Sequence, residues 1–469
     1  MKIAFVHYHL KTGGVTTVLM RQIAAIQGSC DTLVLTGDRA ATEWPCKVVE
    51  IPELGYDQPG LSPAAPDRVA GRVLKALSDT WPGGCDVLHI HNPTLAKNRQ
   101  FLQIIKRLQQ AGANLFLQIH DFAEDGRPDL YFEEDYPANC HYGVINKRDA
   151  AILLGAGLDG SGLHHIPNAV QGLSVNGCRC PKPQILYPVR AIRRKNLGEA
   201  ILLSMFFSNN GRRLSVTQPP NSPTDAVSYR DWIYWVRKNR LRVDFEVGKN
   251  VDFSVLVDAS ESVVTTSISE GFGLAFLEPW TAGKLLWGRR LGGICGDFEN
   301  SGISLNCLYE RLEVPLAWID AEAFSRDWHA AVFGAVERFG HMVAADAANR
   351  AFSRLTRGEI IDFGLLSEKF QRQVLARLIS DPSAKAELIS LNPWLSHPGV
   401  VSDPSEIIEN NRRAVLQHYG TKRYRNRLLA IYDQIVNHAV CHRIDKGALR
   451  DAFFDLDRFP LLKWGAYAR

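Results

Sequence analysis

The sequence lacks any apolar run of the roughly 18–20 residues that a bilayer-spanning helix needs. We also expect no secretory signal, because His7 and His9 interrupt the short apolar stretch MKIAFVHYH. We therefore expect a cytoplasmic protein without a transmembrane segment. Peripheral contact with a membrane surface stays open.

The nine cysteines follow no disulfide or zinc-binding pattern. The closest pair, Cys178 and Cys180, has no second pair at a zinc-finger spacing, so we interpret the cysteines as free thiols in a reducing compartment. The net charge is only +4, and no dense stretch of Lys and Arg accompanies it. We therefore expect no nucleic-acid partner.

Short apolar segments alternate with helical patterns through the first half of the 469-residue chain. The expected strands are residues 3–6, 32–35, 48–51, 87–90 and 115–119, and the expected helices are 15–26, 68–78 and 101–110. Alternation at this spacing indicates βαβ units around a parallel sheet. The continuously apolar strand LFLQI suits a sheet that is covered on both faces.

A second alternating series follows a loop that contains Gly172, Gly177, Pro181 and Pro183, where we place the domain boundary. Its expected strands are 185–189, 242–247 and 263–266, and its expected helices are 275–282, 407–416 and 424–436. We predict an α/β fold with two Rossmann-like domains, 1–175 and 184–405, that share a cleft. Helices over 406–469 are expected to pack back on the first domain.

The strongest candidate site is the segment TTSISEGFGLAFLEPWTAGK, residues 265–284. Gly271 and Gly273 allow the backbone to approach a ligand closely, and the following helix offers free N–H groups to a diphosphate. Glu270 lies in the loop, and Glu278 is expected about two turns into the helix, so the two carboxylates can bind sugar and ribose hydroxyls. The alternative is an ordinary βα turn with one solvated and one buried carboxylate.

A basic segment, ILYPVRAIRRKNLGEAI, covers residues 185–201 and leads from a strand through a loop into a helix. Arg190 and Lys195 can neutralise a departing nucleotide diphosphate above the sheet. Arg193 and Arg194 share that work or are simply solvated. A charged loop that caps a helix is the alternative for the whole segment.

Weaker candidates follow strands of the first half. Gly13 and Gly14 permit close backbone approach but are not the spaced glycines of dinucleotide enzymes. His120 ends a strand and can hydrogen-bond a substrate hydroxyl, although a structural role is the alternative. His89 and His91, in DVLHIHNP, alternate as strand residues do, which favours a structural role. The carboxylate and third ligand of a metal site are missing, so we expect none.

The order of these segments resembles the retaining GT-B glycosyltransferases, and most closely glycosyltransferase family 4. The resemblance rests on the Gly13-Gly14 loop, DVLHIHNP, His120, Ile166-Pro-Asn168, Arg190-x4-Lys195 and S-x-x-EGFG-x4-E at 267–278. It continues in NNRRAVLQHYGTKRYRNRLLAIY, residues 410–432, which is similar to the closing helices of that family.

This resemblance implies metal-independent transfer of a hexose from a nucleotide-sugar, a UDP-sugar such as UDP-glucose, with retention of anomeric configuration. The nucleotide-sugar is a substrate, so no cofactor is implied. Arg190 and Lys195 would hold the donor diphosphate, Glu270 would contact the transferred sugar, and Glu278 would bind the ribose. The donor site of domain 184–405 would also include Gly271, Phe272, Gly273 and Leu274.

Domain 1–175 would hold the acceptor, which is a small molecule, a glycan or a lipid-linked sugar. Gly13 and Gly14 would approach the diphosphate or the acceptor, His120 would lie beside the anomeric centre, and Asn168 would contact substrate. The acceptor would attack from the front face, and the leaving phosphate would take its proton.

Departures from the family pattern affect several contacts. Gly292 and Gly293 replace the usual Pro-Glu, and residues 437–469 extend past the closing helices. Two alternatives stay open: a nucleotide-sugar epimerase of the same double-Rossmann shape, and an inactive nucleotide-sugar-binding subunit. Measuring nucleotide release against epimer formation would separate the two enzymes.

Overall fold

The computed structural model of the chain describes residues 1–38, 43–60, 62–173, 184–207 and 211–467. Cys178 and Cys180, with Gly177, Pro181 and Pro183 of the predicted boundary loop, lie outside the described residues. Contacts divide the chain into two units. One unit contains Met1–Val170 and Tyr419–Phe454, and the other contains Gln171–His418 and Asp455–Arg469.

The first unit is built on a parallel sheet of seven strands in the order β3-β2-β1-β4-β5-β6-β7. Its strands are β1 Lys2–His7, β2 Asp31–Thr36, β3 Lys47–Glu50, β4 Val87–His91, β5 Leu115–Ile119, β6 His141–Val144 and β7 Leu163–His165. Its first helices are α1 Gly14–Ile26, α2 Pro66–Thr80, α3 Phe101–Gln110 and α4 Lys147–Gly155.

The second unit contains a parallel sheet of six strands in the order β10-β9-β8-β11-β12-β13 and a separate antiparallel pair, β14 and β15. The strands are β8 Gln184–Arg190, β9 Arg213–Gln218, β10 Val243–Asp244, β11 Ser262–Thr265, β12 Leu285–Arg289, β13 Leu308–Tyr309, β14 Glu313–Pro315 and β15 Ile360–Asp362.

Besides the last helix of the chain, ten α-helices accompany the strands of the second unit within its described residues. They are α5 Leu197–Ser204, α6 Pro223–Lys238, α7 Phe253–Ala259, α8 Glu278–Thr281, α9 Gly292–Glu299, α10 Ala321–Arg338, α11 Ala345–Leu355, α12 Glu368–Ser380, α13 Pro382–Leu391 and α14 Pro404–Tyr419. The last helices of the chain are α15 Thr421–Asn437, α16 Lys446–Phe453 and α17 Leu461–Trp464.

The two parallel sheets confirm the predicted pair of Rossmann-like domains. In the first unit, alternate residues of β1 supply two apolar layers. Ala4 and Val6 pack in the core under α2 and α3, whereas Ile3 and Phe5 pack in the core under α1 and α15. A strand that is buried on both faces favours apolar residues at successive positions, which explains the apolar run Ile3–Val6.

The residues of the predicted segment 406–469 are divided between the two units. Helix α15 packs against α1 of the first unit and contributes Leu428 and Tyr432 to its core. Residues of Asp455–Arg469 belong to the second unit, where the carbonyl of Phe459 accepts a hydrogen bond of 3.3 Å from the Trp328 indole.

Two predicted elements differ from the structure. The helix expected over 275–282 is a 3-10 turn, Leu274–Phe276, followed by the four-residue α8. Pro279 breaks the helix because it has no N–H to donate to the carbonyl four residues earlier. The strand expected over 242–247 is only the two-residue β10, because Glu246 adopts a left-handed conformation with φ of 60°.

Both sheets reverse the direction in which strands are added. After β3 the first sheet continues with β4 on the other side of β1, and after β10 the second continues with β11 on the other side of β8. Open parallel sheets bind ligands beyond the carboxyl ends of strands at such reversals. Within the described residues, every helix is too short or too polar to cross a membrane.

Candidate active site

The basic loop after β8 and the glycine-containing loop after β11 are joined by hydrogen bonds at the carboxyl ends of these strands, where the second sheet reverses. The Ile268 amide donates to the carbonyl of Arg194 over 3.0 Å. The Thr266 hydroxyl donates to the carbonyls of Lys195 and Asn196 over 3.1 and 3.0 Å. These bonds fix the basic loop beside the glycine-containing loop and place their side chains at one edge of the sheet.

The structure brings the two candidate residues Lys195 and Glu270 together. Lys195 donates to one oxygen of the Glu270 carboxylate, and Arg194 donates to the other over 3.3 Å. The Glu270 and Lys195 side chains are only 7% and 16% exposed. Burial opposes ionisation of Glu270, but the charges of Lys195 and Arg194 outweigh it and lower the pKa of the carboxyl. Burial lowers the pKa of the Lys195 ammonium.

The other arginines of the basic loop differ in their contacts. Arg190 donates to the Gln218 side chain over 3.1 Å and forms no ion pair with the described residues. Arg193 forms a two-pronged pair with Glu368, at 2.7 and 2.8 Å. Arg194 therefore belongs to the cluster around Glu270. Arg193 is neither solvated nor part of that cluster, because its guanidinium is paired with Glu368.

The glycine-containing loop has a conformation that requires Gly273. Its φ is 86°, and a Cβ atom there would lie 2.7 Å from the Phe276 ring and 2.9 Å from Ile294. Phe272 is buried against the Phe298 ring at a centroid distance of 5.6 Å. Gly271 and Leu274 flank these residues and are partly exposed.

Glu278 does not lie two turns into a helix. It is the first residue of α8 and is partly exposed, because the helix is interrupted before Pro279. The 3-10 turn Leu274–Phe276 separates it from Glu270. Gly292 and Gly293 begin α9.

A buried ionic network lies behind the basic loop and was not predicted. Arg289 on β12 pairs with Glu199 on α5 at 2.6 Å and with Asp362 at 2.8 Å, and the Tyr309 hydroxyl donates to Glu199 over 2.6 Å. Asn196, in a left-handed conformation with φ of 60°, donates to Glu199 over 2.7 Å. This network holds the end of the basic loop in place through the hydrogen bond from Asn196 to Glu199.

At the reversal of the first sheet, Gly13 caps α1 and Gly14 begins it. Gly13 has an extended backbone with φ of −176°, and a Cβ atom would meet nothing closer than 3.8 Å. A Cβ atom at Gly14 would meet nothing within 4 Å. The packing of the chain itself therefore does not demand glycine at either position.

His120 follows β5 and is buried. Its Nε2 atom lies 2.9 Å from Nδ1 of His91, and its amide donates to the Asn92 side chain over 2.7 Å. Burial lowers the pKa of His120 to about 4, so its ring is neutral at pH 7. His89 lies in a separate network, 2.9 Å from both the Tyr432 hydroxyl and the Gln118 side chain.

Asn168 is buried in the loop after β7. Its Oδ1 atom is enclosed and has no hydrogen-bond partner within the described residues. This leaves an acceptor oxygen unused, which is unusual for a buried amide. In the described ranges, no group of three or more His, Cys, Asp and Glu side chains is arranged to hold a metal ion.

The fold and these switch-point loops define an α/β protein of the double-Rossmann type. No protein-family profile matches the chain. It is 24% identical over 354 residues to mannosylglucosyl-3-phosphoglycerate synthase of Petrotoga mobilis, a match that covers 66% of this chain and 68% of that protein.

Solved structures share the fold over nearly the whole chain. Sucrose-phosphate synthase of Thermosynechococcus elongatus has a TM-score of 0.55 at 15% identity, covering 92% of this chain and 98% of the other. Anabaena HepE in complex with UDP-glucose has a TM-score of 0.52 at 13% identity, covering 93% and 98%. Trehalose-6-phosphate synthase OtsA has 0.50 at 12% identity, covering 92% and 99%. These proteins are GT-B glycosyltransferases, and this chain has their fold.

Proposed function

We propose that this chain is a glycosyltransferase that moves a hexose from a UDP-sugar to a hydroxyl acceptor, with retention of configuration and without a metal. The observation that carries this proposal is the convergence of Lys195 and Arg194 on Glu270 at the reversal of the second sheet. Cations and a carboxylate in two fastened loops suit a ligand that has both a diphosphate and sugar hydroxyls.

The donor would bind by replacing the ion pairs between Lys195, Arg194 and Glu270 with contacts to its own diphosphate and sugar. Lys195, with Arg190 at the edge of the loop, would turn toward the diphosphate, and Glu270 would accept hydrogen bonds from sugar hydroxyls. Glu278 would bind the ribose, and the backbone of residues 271–274 would line the diphosphate. The partial burial of Lys195 makes its charge effective, because charges interact more strongly where water is excluded.

The reaction would need no protein nucleophile. The acceptor oxygen would bond to the anomeric carbon as the bond from that carbon to the diphosphate oxygen breaks. The acceptor proton would pass to the leaving diphosphate, whose growing negative charge Lys195 and Arg190 would stabilise. His120 would lie beside the sugar, and Gly13, Gly14 and Asn168 of the first unit would contact the substrates.

The comparisons favour a UDP-sugar as the donor and a phosphorylated compound as the acceptor. HepE is described in complex with UDP-glucose, which favours a UDP-sugar here. The names of the Petrotoga synthase, of sucrose-phosphate synthase and of trehalose-6-phosphate synthase all describe phosphorylated products. No observation favours the epimerase or the inactive subunit.

A donor panel tests the proposal. The protein is incubated with UDP-, GDP- and ADP-sugars and a panel of phosphorylated and neutral sugars, and nucleotide release and new glycosides are measured with and without EDTA. We expect UDP release coupled to a glycoside whose anomeric configuration, read by NMR, matches the donor. Epimer formation without UDP release, an inverted product or loss of activity in EDTA would each contradict a stated part of the proposal.

A further inference from the structure

The reversal of the first sheet carries a group of cations that the donor chemistry does not use. Lys11 follows β1, Lys97 lies in the loop after β4, and Arg127 lies in the loop after β5. The strands β1, β4 and β5 are consecutive neighbours in the sheet, so their carboxyl ends bring these three loops to one edge. Ligand sites in open parallel sheets occupy such edges.

The cations differ in their partners. Lys11 pairs with Asp38 at 2.6 Å, and Arg127 pairs with Asp121 at 2.8 Å. Lys97 forms no ion pair within the described part of the chain. It lies over the Tyr56 ring, with its Nζ atom 5.4 Å from the ring centre.

Lys97 is partly buried, which is unusual for a lysine that forms no direct ion pair. Burial lowers the pKa of Lys97, the positive charge of Arg127 lowers it further, and the negative charge of Asp121 raises it, so Lys97 lies within electrostatic reach of the Arg127–Asp121 pair. The loop is held in place by Asn98, whose side chain donates to the carbonyls of Glu53 and Gly55 over 2.7 and 2.9 Å. The ammonium is therefore positioned by a fixed loop.

Lys97 and His120 are related through the residues near Lys97, because Asp121, the neighbour of His120, acts on Tyr56 beneath the Lys97 ammonium. Tyr56 contacts His9, with its hydroxyl 3.1 Å from the His9 ring, and the charges of Asp121 and Arg127 act on the Tyr56 hydroxyl. Asp121 is the residue next to His120. A group bound between Lys97 and Arg127 would thus lie close to the proposed place of sugar transfer.

We propose that Lys97 and Arg127, with Tyr56 beside them, form a subsite for the anionic group of a small acceptor, a phosphate monoester or a carboxylate. The inference rests on the proposed function, because it takes the first unit to hold the acceptor. An anion there would give Lys97 a direct ion pair and would accept charge-assisted hydrogen bonds from both cations, which are about twice as strong as neutral hydrogen bonds.

Inorganic phosphate is the probe, titrated by calorimetry into the full-length protein with its donor site saturated by UDP. Lys97→Met removes the charge but keeps the aliphatic stem over Tyr56. We expect it to weaken phosphate binding about tenfold or more, the effect of one charge-assisted contact. The matched control is Lys75→Met, an exposed lysine on α2 that should leave binding unchanged.

Acetate, titrated in parallel, identifies the anion. Binding of phosphate alone that depends on Lys97 indicates a phosphate monoester, and equal Lys97-dependent binding of acetate indicates a carboxylate. Phosphate that binds the Lys97→Met variant as tightly as the unchanged protein, or that binds neither, overturns the subsite. For an acceptor found in the donor panel, the variant should raise KM with little change in kcat.

Titration of UDP itself separates the two hypotheses. If UDP does not bind the unchanged protein, the proposed function fails. Lys97-dependent phosphate binding measured in a Lys195→Met background, where the second-unit cations are weakened, would then support the anion subsite alone. If UDP binds and phosphate binding ignores Lys97, only the subsite is lost.

Discussion

The Nδ1 atom of His91 lies 2.9 Å from the Nε2 atom of His120, and the Nε2 atom of His91 is enclosed without a partner in the described residues. One of the two facing nitrogens must donate. Since an orphaned buried N–H is rarer than an unused acceptor, His91 is best assigned its proton on Nδ1. His120 then accepts at Nε2 and carries its own proton on Nδ1, which under the proposed function would donate to a substrate oxygen.

Replacing His91 should therefore change catalysis through His120. We expect His91→Leu to lower kcat/KM about tenfold, the value of one hydrogen bond of about 1.4 kcal/mol. His91→Asn places an amide donor near the former Nδ1 and should recover much of the loss. Steady-state kinetics on both variants, with folding checked by circular dichroism, measures this. Equal activity in the two variants would contradict the assignment.

The cations of the second unit should carry the largest catalytic effect. We expect Lys195→Met and Arg190→Met each to lower turnover at least about 100-fold, as the loss of one group that stabilises transition-state charge does. Lys249→Met, at an exposed lysine, is the control and should retain full turnover. Near-normal turnover in both site variants, with folding intact, would discard this donor site.

Gly14 and Gly273 should respond differently to alanine. Gly273→Ala forces a left-handed conformation on a residue with a Cβ atom and a clash with Phe276, so we expect a loss of about 1–3 kcal/mol in the free energy of unfolding. Gly14→Ala has open space and a helical position, so its stability should be equal or higher.

Enzyme kinetics distinguish a glycine that is required for packing from one that is required for contact with a ligand. If a substrate lies against the start of α1, Gly14→Ala should raise KM for the donor or the acceptor while the melting temperature stays the same. Unchanged kinetics in this variant would remove Gly14 from the site.

The buried network behind the basic loop should contribute strongly to stability. Arg289→Met leaves Glu199 and Asp362 buried without their cation, and we expect it to cost about 3–5 kcal/mol in urea unfolding. Its neighbour offers the control: Arg290 pairs with Glu299 nearer the surface, and Arg290→Met should cost less than about 1 kcal/mol. Similar losses of unfolding free energy in the two variants would contradict a larger contribution of the buried network than of the surface ion pair.

Local patterns predicted the fold where burial alone decides the structure. The bounds of β5 and α3 match the expected 115–119 and 101–110, because a short apolar run suits a buried strand and the apolar residues of the helix recur with helical spacing. β6, residues His141–Val144, was not predicted, because a four-residue strand that contains histidine and glycine has no such pattern.

Part of the geometry of the candidate site could be predicted from the sequence. Lys195 and Glu270 were identified by their motifs, and the structure brings them together. The partners of Arg193 and Arg289 could not be read from the sequence, because Glu368 and Glu199 are far away along the chain and only the fold makes them neighbours. The facing rings of His91 and His120 depend on the pairing of β4 with β5, which spacing within one strand cannot reveal.

The first unit takes its covering helix α15 from residues that the ribosome adds only after all the strands of the second sheet. Until then the nascent chain must expose the apolar face around Phe5 and Leu19 that Leu428 and Tyr432 later cover. The amino-terminal sheet therefore cannot finish folding as it is translated. A chain stalled before residue 419 should be a client for chaperones that bind exposed apolar surface.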